Sequence, residues 1–380
     1  MSQATVEFRH VSKRYGPHGA VDDLSLLVPA GEICVLVGPS GCGKTTSLKM
    51  VNRLVEPSSG QVLIDGQDVM SVEVTQLRRR IGYVIQQIGL FPHQTVADNV
   101  ATVPRLLGWR KDRIRRRVDE LLDLIGLEPA RVRDRYPAQL SGGERQRVGV
   151  ARAMAAEPPV MLMDEPFGAV DPIVRERLQN EFLRLHRTLG TTVLFVTHDI
   201  DEAIKMGNRV AVMQQGGHLA QYAPPSDLLL HPANDFVARF VGVDRGLKRL
   251  SLLNVSDVAL ESAIVSHPGD DALSAARRAA DSGAREVLLL DAEERPCGWL
   301  SVAQIERDGS IRAEAVDPSS PVISFETTLR DALSLLLASA VQTAVVVDER
   351  GRYAGVLTLE ALGSAFRAAP GSEAQPAGVP

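Results

Sequence analysis

Residues 38 to 46, Gly-Pro-Ser-Gly-Cys-Gly-Lys-Thr-Thr, follow the apolar run Ile33-Cys34-Val35-Leu36-Val37 and precede Ser47-Leu48-Lys49-Met50, which reads as the start of a helix. A strand, a glycine-rich turn carrying a lysine and a helix together make a phosphate cradle. Gly38, Gly41 and Gly43 let the backbone curl with its N–H groups turned toward phosphate oxygens, and the helix N-terminus behind them adds partial positive charge. Lys44 is placed to reach the β- and γ-phosphates of a nucleotide, and the Thr45 hydroxyl to hold Mg²⁺. Pro39, Ser40, Cys42 and Thr46 complete the candidate ATP-binding stretch. Such a loop by itself serves kinases, GTPases, helicases and transporters alike.

An acidic partner lies downstream. In Val-Met-Leu-Met-Asp-Glu-Pro, residues 160 to 166, an apolar strand ends in Asp164 and Glu165. Open α/β sheets bind ligands at the carboxyl ends of their strands. Asp164 there suits Mg²⁺ binding through water, and Glu165 suits polarising the water that attacks the γ-phosphate. Between loop and acids comes Leu-Ser-Gly-Gly-Glu-Arg-Gln-Arg-Val, residues 140 to 148. Ser141, Gly142, Gly143 and Glu144 offer a hydroxyl and N–H groups at a helix start, which reads equally as an ordinary cap or as a second phosphate-binding surface. One molecule already has its cradle, so a second surface invites a dimer with nucleotide between subunits.

These residues need a covered parallel sheet. Apolar strands at Val160–Met163 and Val193–Val196 flank a helical stretch from Pro172 to about Leu189. Strands alternating with helices imply a largely parallel α/β sheet. Ile114, Val118, Leu121, Leu122 and Ile125 share one face of an amphipathic helix over 112–125. At 380 residues the chain has room for two or three domains, and its ordinary charged and apolar fractions read as globular. Three scattered cysteines, Cys34, Cys42 and Cys297, fit a reducing compartment and no disulfide framework. The start, MSQATVEFRH, lacks the apolar core of a signal peptide. The best membrane candidate, Ala332 to Val347, is interrupted by Ser334, Ser339, Gln342 and Thr343 and falls short of the ~20 apolar residues that a spanning helix needs. A net charge of −5 argues against nucleic acid as a partner.

The texture changes near residue 245. Residues 246 to 380 carry 12 basic and 19 acidic side chains, whereas residues 1 to 245 carry 30 and 28. Within the acidic part, DALSAARRAADSGAREVLLLDAEERPCGWL from Asp271 is echoed by DALSLLLASAVQTAVVVDERGRYAGVL from Asp331. Asp291 and Gly298 match Asp348 and Gly355, each 57 residues on. Each copy reads helix, buried strand, charged turn, strand, and two copies suit an intramolecular pair. The Pro/Gly-rich tail from Pro370 reads as disordered.

Taken in order, the phosphate loop, LSGGERQRV and MLMDEP resemble the ATPase subunit of ABC transporters, over residues 4 to about 242. The resemblance implies that Tyr15 stacks on adenine and that Gln86 touches Mg²⁺ and the attacking water. It implies that His198 contacts the γ-phosphate and that Asp171 lies in the loop coupling two sites. That loop reads GAVD here, where the family more often has SALD. It further implies a P-loop α/β core with an antiparallel β element near the N-terminus and a helical insert around residues 90 to 150. Two copies, or a paired ATPase subunit, should close on two ATP–Mg²⁺, each site pairing one subunit's Lys44 with the other's Ser141.

The wording of TTSLKMVNRLVEPSSG, IGYVIQQIGLFPH, DEPFGAVDP, THDIDEAIKMGNR and PANDFVARFVG is similar to importers of compatible solutes, such as glycine betaine, carnitine, choline or proline betaine. The paired repeats resemble cystathionine-β-synthase-type (CBS) modules of that subfamily. The expected organisation is an ATP-binding domain over 1–242, a first CBS module with linker over 243–315, a second over 316–368 and a tail over 369–380. Expected partners are integral membrane permease subunits and an extracytoplasmic solute-binding protein, with the chain peripheral on the cytoplasmic face of the inner membrane. Thr358-Leu359-Glu360 comes near the ribose-binding Ser/Thr-x-Asp of nucleotide-binding CBS modules, while Ser301-Val302-Ala303 lacks the acid, so a structural or charge-sensing role is favoured. Two rivals are an importer of another solute with an unrelated regulatory tail and a soluble ABC ATPase. The second calls for tandem cassettes, a coiled-coil insert or basic arms, and the sequence has none of these.

Overall fold

A computed structural model describes residues 4–85, 89–168, 171–311, 320–339 and 342–368. The chain divides into two units, Met1–Val243 and Asp244–Pro380. Strands β1 (Val6–Tyr15) and β2 (His18–Val28) open the first unit as a hairpin, and β3 (Ile33–Val37) leads into helix α1 (Lys44–Val51). Strands β4 (Ser59–Ile64) and β5 (Gln67–Asp68) return to β1, completing an antiparallel sheet of order β2-β1-β4-β5. Phe8, Val6, Leu24 and Val62 bury its inner face in the core that also holds Leu36, Leu48 and Leu162.

Helix α2 (Val74–Arg79) and strand β6 (Ile81–Val84) precede a helical insert. The insert comprises α3 (Val96–Val100), α4 (Thr102–Leu106), α5 (Lys111–Leu124), α6 (Pro129–Val132) and α7 (Gly142–Met154). Helix α5 buries Ile114, Val118, Leu121 and Leu122, the stripe expected from their spacing. Strands β7 (Val160–Asp164), β8 (Thr192–Thr197) and β9 (Arg209–Gln214) follow, with α8 (Pro172–Leu189) and α9 (Ile200–Met206) between them. Helix α8 has sharp ends: the Asp171 carboxylate accepts from Val174 N–H, Pro172 occupies the first turn, and Gly190 closes the helix at φ 61°. Strand β10 (His218–Ala223) and helices α10 (Pro225–Leu230) and α11 (Asp235–Val241) end the unit.

The central sheet runs β10-β9-β3-β8-β7-β6, with only β10 antiparallel to its neighbour. Every residue of β3, β7 and β8 is buried, as parallel strands covered on both faces require. Strands β3, β8, β7 and β6 therefore deliver the segments that follow them to one carboxyl edge.

In the second unit, α12 (Arg245–Leu250) precedes two copies of one pattern. The first has β11 (Val265–Ser266), α13 (Ala272–Asp281), β12 (Glu286–Leu290), β13 (Pro296–Ser301) and α14 (Val302–Asp308). The second has β14 (Val322–Ser324), α15 (Leu329–Ala338), β15 (Thr343–Val347), β16 (Tyr353–Thr358) and α16 (Leu359–Ala368). Both sheets join a parallel to an antiparallel pair. In both charged turns an aspartate receives two backbone N–H groups: Asp291 those of Glu293 and Arg295, Asp348 those of Arg350 and Arg352. Leu288 and Leu290 meet Val345 across the pair, flanked by Trp299 and Tyr353. The segment entering the unit packs on the second copy, not the first: Leu250 and Val255 join the Leu329, Leu336 and Leu357 core, and Val255 N–H bonds Thr327 O at 2.9 Å. The 315/316 border and the tail from 369 lie outside the described residues.

Asn99, fully buried, clamps the segment after β6. Its Oδ1 accepts from Phe91 N–H at 2.8 Å, and its Nδ2 donates to the carbonyls of Phe91, Gln94 and Thr95. Asn99→Ala strands these groups, at a cost of about 1–3 kcal/mol. Urea unfolding is expected to reveal that loss, with faster amide exchange at Phe91.

Candidate functional site

The phosphate loop is shaped by close approach of neighbouring backbone. Gly38 has φ 154°, and a Cβ there would lie 2.1 Å from Met213 O on β9; Gly43 has φ 93°, and a Cβ would lie 2.2 Å from Ala20 O on β2. Only glycine fits between the loop and these two strands. The Lys44 side chain is buried, and its ammonium donates to the carbonyls of Gly38 at 2.7 Å and Pro39 at 2.9 Å. The loop thus holds the cation over its own curl. Cys42 is fully buried with its Sγ 3.6 Å from Lys44 Nζ, and Ser40 sits at the rim, where its carbonyl faces Gln215. Thr45 and Thr46 enter α1.

Two strands away, Asp164 ends β7 and is 4% exposed. Thr45 Oγ1 donates to Asp164 Oδ1 at 3.0 Å, a direct link between the loop and the acidic strand. Burial raises the Asp164 pKa above the usual carboxylate value, against the lowering effects of the Thr45 hydroxyl and of Lys49 and Lys44. A carboxylate and a hydroxyl held together with little water are hard oxygen donors and fit Mg²⁺.

Glu165 leaves the strand with φ 45°, a left-handed backbone unusual for a residue with a side chain, fastened by its N–H to Val196 O at 3.0 Å. Its Oε1 lies 3.2 Å from Nδ1 of His198, which follows β8. Since β8 lies between β3 and β7, His198 emerges between the phosphate loop and the acids. Tyr15 ends β1 with its ring half-exposed and the Lys13 ammonium 5.0 Å from the ring centre, in the hairpin whose Ala20 packs on Gly43. Gln86 lies outside the described residues.

The remaining expected residues have local contacts. Ser141 caps α7 in a reciprocal box: its Oγ accepts from Glu144 N–H at 3.2 Å, and Glu144 Oε2 accepts from Ser141 N–H at 2.8 Å. That backbone N–H is the main reason the Glu144 carboxyl titrates below its usual value. Gly142 and Gly143 form the first turn behind it. Asp171 caps α8, while Ala169 and Val170 before it lie outside the described residues.

A buried pair escaped the reading of the sequence. Gln179 on α8 donates to Glu202 Oε1 on α9 at 2.9 Å, tying the helix capped by Asp171 to the helix after His198. The helical spacing marks both positions as inward-facing but cannot pair them. In the second unit, Thr358 Oγ1 donates to Glu261 Oε1 at 2.8 Å and accepts from Ala361 N–H, while Ser301 caps α14 with Gln304.

A phosphate cradle, a buried carboxylate and a carboxylate–histidine pair on one edge of a parallel sheet define a P-loop ATPase. The family model for ABC transporters matches residues 21–168, and that for CBS domains residues 313–366. The osmoprotectant import ATP-binding protein OsmV of Salmonella typhimurium is 48% identical over 92% of this chain and 91% of its own length. The glycine betaine uptake system ATP-binding protein YehX of Escherichia coli is 45% identical over 94% and 98%, and the glycine betaine/carnitine/choline transport ATP-binding protein OpuCA of Bacillus subtilis 41% over 94% and 95%. Among solved structures, the dimeric ABC transporter cassette MJ0796 aligns with TM-score 0.53 at 34% identity, covering 58% of this chain and 98% of that one. The same cassette is known as a dimer after hydrolysis, bound to ADP and Pi, at TM-score 0.52. The chain belongs to the family of ABC importer ATP-binding subunits that includes these osmoprotectant systems, and it hydrolyses ATP to drive import.

Burial of Asp164 makes a testable trade between stability and function. Its folded pKa lies above the unfolded one, so the ionised carboxylate costs stability at neutral pH, and the cost fades as pH falls through the folded pKa. Asp164→Asn is expected to melt higher than the parent protein without nucleotide, because it removes a desolvated charge. It should lose ATP hydrolysis. Calorimetry and a phosphate-release assay check both halves.

Proposed function

We propose that this chain energises uptake of quaternary ammonium compatible solutes: glycine betaine, carnitine, choline or proline betaine. The solute reading is supported by the activities for which relatives aligning along nearly the whole chain are named. The observation that carries the mechanism is the meeting of Lys44, Thr45, Asp164, Glu165 and His198 at one sheet edge.

ATP lies in the loop with its phosphates on backbone N–H groups and the Lys44 ammonium, and its adenine on Tyr15. Thr45, Gln86 and Asp164, the last through water, would hold Mg²⁺. That ion would supply positive charge to offset the negative charge of the nucleotide phosphates. Glu165 accepts a proton from the water attacking the γ-phosphorus, and the bond to the β-phosphate oxygen breaks to release ADP. His198 fixes the Glu165 carboxylate and faces the γ-phosphate. Ser141, Gly142 and Gly143 of a second subunit close on the same nucleotide, and Asp171 links the two sites. Opening after hydrolysis moves permease subunits, to which a solute-binding protein delivers cargo across the membrane. The chain works at the cytoplasmic face, peripheral to the bilayer. The acidic CBS pair sets when the transporter runs. Its 12 basic and 19 acidic side chains suit a response to ionic strength, since the screening length is about 8 Å at ~0.15 M salt.

Glu165→Gln is expected to bind ATP, to lose about 10²–10⁴ in hydrolysis rate and to sediment as a dimer with ATP. Full hydrolysis in that variant removes Glu165 from the role of base. Truncation after Val243, reconstituted with the permease, is expected to hydrolyse ATP with a flattened salt response. Uptake of labelled glycine betaine by the intact transporter tests the solute.

A further inference from the structure

The His198 side chain is 62% exposed and meets the Glu165 carboxylate at 3.2 Å. An exposed ring gains little direction from packing, so its aim depends on the backbone that carries it. Both residues flanking that backbone position are engaged by Glu202. Asp199 follows the histidine and caps α9, its Oδ1 accepting from Asp201 N–H at 2.8 Å and from Glu202 N–H at 3.2 Å. Thr197 precedes the histidine, and its hydroxyl accepts from Asp199 N–H at 3.1 Å. That hydroxyl also faces the Glu202 carboxylate. Burial raises the Glu202 pKa, while the Thr197 hydroxyl and then the Gln179 amide lower it by favouring the charge.

The far side of Glu202 is fixed by α8. Gln179 Nε2 donates to Glu202 Oε1 at 2.9 Å, and both side chains are buried. Arg175, one turn earlier on α8, adds positive charge toward the same carboxylate. Packing alone does not ask for this chemistry. Two leucines of similar volume would join α8 to α9 without a desolvated charge, and replacing a buried polar pair by apolar groups is often neutral or stabilising. What the carboxylate adds is direction, because its oxygens must meet a hydroxyl next to His198 and an amide on a separate helix.

We propose that Glu202 is a positioning residue for ATP hydrolysis: through Thr197 and Asp199 it fixes the backbone that aims His198 at Glu165, and Gln179 anchors it on α8. This rests on the reading of Glu165 and His198 as the hydrolytic pair. Helix α8 begins at Asp171, so a shift of α8 reaches His198 through the same contact.

Gln179→Leu/Glu202→Leu removes the polar contacts and keeps the volume. Phosphate release by the full-length variant is expected to show kcat lower by up to about 100-fold, as for a misplacement of about 1 Å, with KM for ATP within about twofold of the parent. The variant should melt no lower than the parent. Added to His198→Ala, the same two substitutions should change the residual single-turnover rate by less than about twofold, because their effect passes through the histidine. An unchanged kcat in the leucine variant overturns the proposal. So do losses that multiply in the combined variant, which place Glu202 outside the path to His198. A fall in ATP affinity that accounts for the whole loss also overturns it and leaves the pair a role in folding alone. Should the leucine variant fail to fold, Glu202→Gln, which leaves Gln179 an acceptor, carries the same cycle. Full hydrolysis in His198→Ala alone removes the reading of the site and the proposal with it, whereas failure of the Glu202 cycle leaves that reading standing.

Discussion

A single hydrogen bond, 3.0 Å from Thr45 Oγ1 to Asp164 Oδ1, joins the phosphate loop to the acidic strand. It spans the sheet edge from the helix after β3 to the end of β7, with β8 between those strands. The bond sets the distance between loop and acid, and it needs both ends fixed. Backbone fixes one end, because Gly38 and Gly43 leave no room for a side chain against Met213 O and Ala20 O. Burial fixes the other, since every residue of β7 lies in the core. Glu165, His198 and the Lys44 ammonium are then placed by the strands that carry them.

Stability is given up at this edge. Asp164 is desolvated and Glu165 holds a left-handed backbone conformation. Each is unfavourable alone and persists because the surrounding sheet leaves no alternative. The apolar core of Phe8, Leu36, Leu48, Leu162 and Leu194 offsets that cost.

The second unit is built by repetition. Each copy places an aspartate in a turn where two backbone N–H groups hold its carboxylate, so the hairpin can be charged and still rigid. The Asp348 carboxyl titrates below its usual value, chiefly because the Arg352 backbone N–H donates to it. The apolar backs of β12 and β15 then close on each other. The entering segment, caught by the second copy through Val255 and Glu261, ties the beginning of the unit to its end.

Much of this was legible from residue type and spacing. Glycines around Lys44, an apolar strand ending in Asp164 and Glu165, and the stripe from Ile114 to Leu122 are local signals, and their physics acts within a few residues. The repeat from Asp271 to Asp331 was legible because the same turn demands the same residues twice. Strand order was not: nothing local puts β8 between β3 and β7, and that order is what sets His198 beside Glu165. The Gln179–Glu202 pair, the three carbonyls held by Asn99 and the packing of Val255 on the second copy were likewise decided by the tertiary structure. Helical and strand periodicity reveals which side of an element faces inward. Which partner it meets there depends on how distant segments pack, and no window of sequence contains that.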